Sequence, residues 1–416
     1  MKLLPPALRS RNYRLFFGGQ GLSLIGSWMT QTATIWLVYQ LTNSALWLGV
    51  VGFVGQIPSL ILAPFGGIVV DRVNRHRLLI VTQILSAIQS LALAILAFSG
   101  AIDIWHLVGL SIFQGFINVV DAPVRQAFVP EMVERRDDLA SAIALNSSLV
   151  NAARLLGPSI AGLLIAAAGA GVCFLIDGIS YFAVIASLLA MKIKPRRIVT
   201  TNDNPWQRLK EGFIYAFGFP PIRAILLLLA LFSFMAMPIS TLMPIFASEI
   251  LQGGPQSLGF LMAASGLGAL TGGIYLAGRR TVVGLGNLIV IAPAIVGTGM
   301  IIFALSRWLW LSLLIVSIIG FGTIWQIAAS NTVIQTIVED DKRGRVMSLY
   351  TMAFFGMALL GNLFSGALAE RIGAPNTIIV GGIFCIFGSI SFSRKLPALR
   401  KLVVPIYQKR GILPKR

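Results

Sequence analysis

Two residues stand out on chemical grounds. Arg154 and Asp177 are ionisable groups inside long apolar stretches, Asn151-Ala-Ala-Arg154-Leu-Leu-Gly157-Pro158-Ser-Ile-Ala-Gly162 and Phe174-Leu-Ile-Asp177-Gly-Ile-Ser-Tyr181. A charge surrounded by hydrocarbon is costly, and it is retained mainly where it handles ions, protons or a ligand. Burial favours the neutral acid, whereas a nearby cation favours the carboxylate. If both groups face one cavity, a motion that parts them loads a proton and one that joins them releases it. The competing reading is a permanent salt bridge that positions the two segments. His76 and His106 are far apart in sequence, and Cys173 and Cys385 form no CxxC or Cys/His cluster. A metal site or disulfide framework therefore has no support. No nucleophile–base pair can be assembled, so neither an enzyme nor a cofactor is expected.

The surroundings of these two charges are oily. Of 416 residues, 56% are hydrophobic and only 12% charged, with a mean hydropathy of +0.84. A soluble domain carries roughly 25% charged residues, so lipid is the expected solvent. The net charge of +18 would suggest nucleic acid in a soluble chain. Here nearly all the Lys and Arg lie in short connectors between apolar runs, which is a topology pattern and argues against nucleic acid.

A bilayer core needs about 20 apolar residues per helix. The expected spans are 15–41, 45–70, 77–99, 104–128, 139–168 and 171–191, then 223–250, 256–278, 284–305, 308–335, 344–369 and 375–393. Cations concentrate at the N-terminus, in the even-numbered loops and in the tail, which predicts that both termini are cytoplasmic. The expected parts are an N-terminal six-helix bundle over 1–191 and a central cytoplasmic loop over 192–222. A second six-helix bundle over 223–393 and a basic tail over 394–416 follow. Within the central loop, 205–219 can form an amphipathic surface helix. The halves are weakly similar. A shift of 204 positions lays Asp137 on Asp341, Leu155-Leu156-Gly157 on Leu359-Leu360-Gly361 and Gly162 on Gly366. Transporters commonly retain such repeats.

Three motifs narrow the reading. Gly67-Ile-Val-Val-Asp71-Arg72-Val-Asn74-Arg75-His76-Arg77 lies between spans 2 and 3. It resembles the signature loop of the major facilitator superfamily, with Asn74 where that family has a second glycine. Asn also tolerates a left-handed turn. A counterpart in the second half, Gly272-Gly273 followed by Arg279-Arg280, lacks the aspartate. Span 4 ends in Asp121-Ala-Pro-Val-Arg125-Gln-Ala-Phe-Val-Pro-Glu131, where Asp121 and Arg125 are four apart and can share a helix face. By resemblance, Asp71, Arg72, Arg75, Asp121 and Arg125 would form an ion-pair network, with Gly67 and Arg77 beside it, that holds the cytoplasmic side closed. Gly157, Pro158 and Gly162 of span 5 resemble the glycine-proline motif of superfamily exporters associated with antiport. Gln31, Trp36, Asn118, Trp325, Gln326 and Asn362 are candidates to line a cavity, against the plainer reading that each packs helices.

The opening Arg9-Ser-Arg-Asn-Tyr-Arg14, together with Tyr39-Gln-Leu-Thr-Asn-Ser44 and Arg125-Gln-Ala-Phe-Val-Pro, resembles the drug:proton antiporter branch of that superfamily. This branch includes the enterobactin exporter and macrolide efflux permeases. The resemblance implies an all-α integral membrane protein with 12 transmembrane helices in two pseudo-symmetric six-helix bundles, the major facilitator fold. It further implies a monomeric carrier in the bacterial inner (plasma) membrane that exports a small but bulky organic substrate by alternating access, with protons as partner. No GxxxxGK[ST] motif is present to make ATP the direct driver. A lysophospholipid flippase and a non-transporting membrane sensor of the same fold are the alternatives.

Overall fold

A computed structural model describes residues 5–62, 73–193, 205–279 and 281–414, with backbone only for Arg136 and 205–210. Gly67, Asp71, Arg72 and Arg280 lie outside the described residues. All regular structure among the described residues is helical. In the order of the chain, the long helices are α1 (Arg11–Thr42), α2 (Ala45–Leu62), α3 (Arg75–Phe98), α4 (Ile104–Met132), α5 (Leu139–Ala168) and α6 (Ala170–Leu189). They continue with α7 (Pro220–Ile250), α8 (Gly254–Ala277), α9 (Leu285–Leu305), α10 (Leu309–Ile337), α11 (Arg343–Ile372) and α12 (Ala374–Lys409). Among the described residues, 11 helices are long and apolar enough to cross a membrane. The remaining one is α1. Its 32 residues reach about 48 Å at 1.5 Å per residue, but Gln20, Ser23 and Thr32 reduce its apolarity. All three are buried against protein, so the polar groups avoid lipid.

Local chemistry explains the joints. Asn43 takes the left-handed conformation that ends α1 (φ 47°), and the Ser44 side chain accepts a hydrogen bond from the Trp47 amide to start α2. Asn74 does not make the left-handed turn expected of it. Its φ is −64°, and its side chain caps α3 by accepting from the Arg77 amide at 3.1 Å. An asparagine can serve as a helix cap where the family has glycine because its side chain satisfies an otherwise orphaned donor. The joint between α5 and α6 is Gly169, with φ 83°, and that between α11 and α12 is Gly373, with φ 84°. These two glycines are 204 positions apart, which extends the sequence repeat into backbone conformation.

The chain divides into two units, one comprising Met1–Trp47, Val51–Asn202 and Gln252–Ala263 and the other Leu48–Val50, Asp203–Leu251 and Ala264–Arg416. In the first unit, Tyr13, Phe16, Leu79, Val124, Phe128 and Leu188 form one buried apolar cluster. In the second, Ile225, Leu229, Ile289, Val333, Ile334 and Val346 form another. The expected surface segment is the helix Pro205–Gly218. Its Glu211 pairs with Arg345 of α11 at 2.7 Å, and Phe213 and Ile214 remain exposed on its outer side. Most of the basic tail is helical. Helix α12 continues through Pro397 and Pro405 to Lys409. Arg410 then donates to the Val338 carbonyl at 2.6 Å, and Arg400 to Asn287 at 2.7 Å. These bonds tie the helical extension to the ends of α9 and α10.

Candidate functional site

Asp177 lies on α6 and is 1% exposed. It is held by neutral donors. The Ser90 hydroxyl of α3 donates to one oxygen at 2.8 Å, and the Ser27 hydroxyl of α1 approaches the other at 3.4 Å. Ser27 also lies 3.2 Å from the Tyr181 hydroxyl, one helical turn beyond Asp177. Gly26 makes this seat possible. A Cβ there would meet Asp177 Oδ1 at 2.8 Å and Asp177 Cα at 3.0 Å. Among the described residues, no cation forms an ion pair with Asp177.

A buried polar seam on α3 leads away from this carboxylate. Thr82, Gln83, Ser86, Gln89 and Ser90 are all buried, and their spacing puts them on one helix face. At one end Ser90 touches Asp177. At the other, Thr82 and Gln83 donate to Asp121 Oδ1 at 2.8 and 2.7 Å. Between them, Gln114 of α4 lies 3.4 Å from Ser86. A stripe of polar groups thus lies on α3 between the two carboxylates, bonded to Asp177 through Ser90, to Gln114 through Ser86 and to Asp121 through Thr82 and Gln83.

Asp121 also pairs with Arg125, one turn away on α4. Arg75, at the start of α3, engages Glu131 at 3.0 Å and the Ala127 carbonyl at 3.3 Å. The sequence reading placed Arg75 in a network with Asp121 and Arg125. Among the described residues Arg75 pairs with Glu131 and Arg125 with Asp121, and Asp71 and Arg72, the other members of the expected network, lie outside the described residues. Glu131, the partner of Arg75, is a residue that the motif resemblance does not assign. An acidic residue next to last in α4, at the same end of the spans as a basic connector, is the signal in the sequence that points to it. Arg77 is exposed, with its amide bound to Asn74. Replacing Glu131 with Gln leaves a partly buried guanidinium without this partner, a loss of order 1 kcal/mol. Melting of the detergent-solubilised protein should fall by a few degrees, and an unchanged midpoint would mean that the pair contributes nothing.

Arg154 behaves differently from the sequence expectation. It forms no hydrogen bond or ion pair among the described residues. Its guanidinium lies over the Trp28 ring of α1, 5.7 Å from the centroid. Trp28 packs into Gly157, where a Cβ would come within 2.5 Å of the Trp28 Cβ. Farther along α5, Gly162 crosses Gly259 of α8. A Cβ on Gly162 would meet the Pro255 carbonyl at 2.7 Å, and one on Gly259 would meet the Pro158 carbonyl at 2.6 Å. The Gly157-Pro158-Gly162 segment is thus the contact by which α5 seats both α1 and the first turns of α8 inside the first unit.

The cavity candidates separate. Gln31 and Asn118 are exposed and Trp36 half-buried, and Asn118 accepts from Gln114 at 3.1 Å. In the second unit, Gln326 is fully buried and directed to Ser330, and Asn362 accepts from Thr241 at 3.0 Å. Neither is exposed: Gln326 bonds one turn along its own helix α10, with its Oε1 unpartnered among the described residues, and Asn362 bonds α7. Trp325 belongs to an aromatic cluster, 4.9 Å from Tyr275 and 4.4 Å from Phe321 by ring centroids. Its indole N–H is buried without a protein acceptor among the described residues, and Tyr275 is 47% exposed.

Long apolar helices that carry an intramembrane carboxylate, a lone guanidinium and glycine-mediated crossings define a multi-pass membrane transporter. The chain belongs to the transmembrane secretion effector family of major facilitator transporters, whose model matches residues 4–405. It is similar to a staphyloferrin A transporter of Staphylococcus aureus, 25% identical over 387 residues, which span 92% of this chain and 96% of the relative. It also matches a multidrug efflux pump, Tap, of Mycolicibacterium fortuitum, 26% identical over 91% of this chain and 93% of that one. A macrolide efflux protein A of Streptococcus pyogenes is 25% identical over 90% of this chain and 95% of its own length. Among solved structures, a bacterial homologue of the human lysosomal transporter Spinster superposes with a TM-score of 0.73 at 14% identity, covering 94% and 98% of the two chains. The nucleoside transporter NupG gives a TM-score of 0.68 at 14% identity, covering 93% of this chain and 98% of that one. These likenesses establish the fold as that of major facilitator transporters.

Proposed function

We propose that this protein exports a bulky organic compound across the bacterial inner membrane in exchange for protons, and that Asp177 carries the proton. The observation behind this reading is the seat of Asp177. It is a carboxylate buried at membrane depth, held by hydroxyls and paired with no cation among the described residues. Such a group can gain or lose a proton without first breaking an ion pair. The α3 seam surrounds this carboxylate with further neutral polar groups and no cation among the described residues. In this reading the expected bundles, 1–191 and 223–393, are the halves that rock during alternating access, with both termini cytoplasmic and the monomer as the working unit. The names of the relatives, which refer to a siderophore, macrolides and drugs, support an organic cargo. The Tyr275–Phe321–Trp325 cluster supports a large, partly apolar one. A lipid flippase and a sensor are not favoured by those relatives, and nothing in the site suggests that the chain transforms what it carries.

The test is transport by purified protein in liposomes. A pH gradient imposed across the membrane should drive accumulation of ethidium, erythromycin or an iron-free siderophore against its own gradient, and collapsing the gradient should stop it. Accumulation that ignores the pH gradient would remove protons from the mechanism.

A further inference from the structure

We infer that Arg154 and Trp28 form an anion site for a carboxylate on the cargo, so that the exported compound is an organic acid with an apolar or aromatic body. This rests on the export reading above and narrows its substrate class. Ser147, Asn151, Arg154 and Pro158 follow one another at intervals of four, three and four residues, which places them on one face of α5. Toward one end, that face is closed by protein, because Pro158 and Gly162 pack against Pro255 and Gly259. The face therefore points into the protein and not to lipid. Toward the other end it is uncovered. Ser147 is exposed, and Asn151 and Arg154 are half-buried. On α1, Trp28 faces Arg154, and one turn farther along the Thr32 hydroxyl meets Met262 of α8 at 3.6 Å, at the closed end of this face. The Arg154 guanidinium and the Trp28 indole thus meet on this face of the first unit, with the Asn151 amide one turn away along α5.

The charge balance there is unusual. Neither α1 nor α5 contains an Asp or Glu. Asp121 is taken by Arg125, Thr82 and Gln83. Asp177 sits behind Gly26 with its oxygens turned to Ser27 and Ser90. The guanidinium at mid-span therefore lacks a countercharge among the described residues, and a partly buried cation at membrane depth favours an anion that supplies one. A planar guanidinium matches a carboxylate through paired N–H donors, and the Trp28 ring beside it can stack an apolar group of the same molecule.

The experiment uses the full-length protein and two probes that differ only in charge, N-dansyl-phenylalanine and its methyl ester. Energy transfer from tryptophan to dansyl gives Kd in detergent, and proteoliposomes with a pH gradient give transport. The acid should bind at least ~10-fold more tightly than the ester, the effect expected of one charge-assisted contact. Arg154→Gln should erase the difference between acid and ester. Arg154→Lys, which keeps the charge, should retain the preference for the acid, and size-exclusion profiles show that each variant is folded. Equal binding of acid and ester by the wild type, or an undiminished preference in folded Arg154→Gln, overturns the anion site. pH-driven movement of ethidium together with no acid preference contradicts this inference alone. Failure of the pH gradient to move ethidium or either probe contradicts the export reading itself.

Discussion

Asp177→Asn abolishes pH-driven accumulation while leaving exchange of cargo between the two sides intact. The amide keeps the size and can still accept from Ser90, so the seat against Gly26 is preserved. What it loses is the exchangeable proton. Uphill transport in proteoliposomes should fall by at least ~10-fold, whereas counterflow of labelled against unlabelled compound should persist, since rocking with cargo needs no net proton transfer. Retention of uphill transport would take Asp177 out of the coupling step. Loss of both activities would point to a packing role for the residue.

Gly162→Leu should produce the other large effect. The first atom of the new side chain lies 2.7 Å from the Pro255 carbonyl and 3.0 Å from Gly259 Cα, and these are backbone atoms that cannot swing away. Overpacking of this kind costs about 1–3 kcal/mol or more. The crossing of α5 and α8 must open or the helices must shift. The variant should melt several degrees lower in detergent and transport less than about a tenth as fast as the wild type, a loss of more than ~1.4 kcal/mol in barrier terms. Gly162→Ala, which adds the same Cβ without the rest, should fall between. A Leu variant with wild-type melting and transport would mean that the close crossing is not required.

The sequence carried the architecture because hydrophobicity and cation placement are one-dimensional signals. Runs of about twenty apolar residues become helices wherever water is absent, and the glycine and aspartate echoes 204 positions apart reappear as matched turns at Gly169 and Gly373. The cost of burying charge likewise brought out Arg154 and Asp177 before any geometry was known. Their partners were not legible in the same way. Ser27, Ser90, Thr82 and Gln83 are neutral polar residues in apolar helices, indistinguishable by type from ordinary packing groups, and only helix rotation brings them onto Asp177 and Asp121. Rotation also decides that Arg154 meets Trp28 and not Asp177. Asn74 was read through its tolerance of left-handed backbone, yet its capping capacity determined its role. The tail was read from charge alone, and charge does not reveal that α12 continues through two prolines to Lys409.

Coupling between two fluxes is reciprocal, because a shared cycle that lets a proton gradient move cargo must let a cargo gradient move protons. The most direct measurement therefore starts with no pH difference. Wild-type proteoliposomes enclosing a pH-sensitive dye are given an inward gradient of a compound that the wild type has been found to transport. Protons should flow out as the compound enters, making the interior more alkaline, and Asp177→Asn liposomes should show entry without this change. Compound entering through the wild type with no movement of protons would contradict the account.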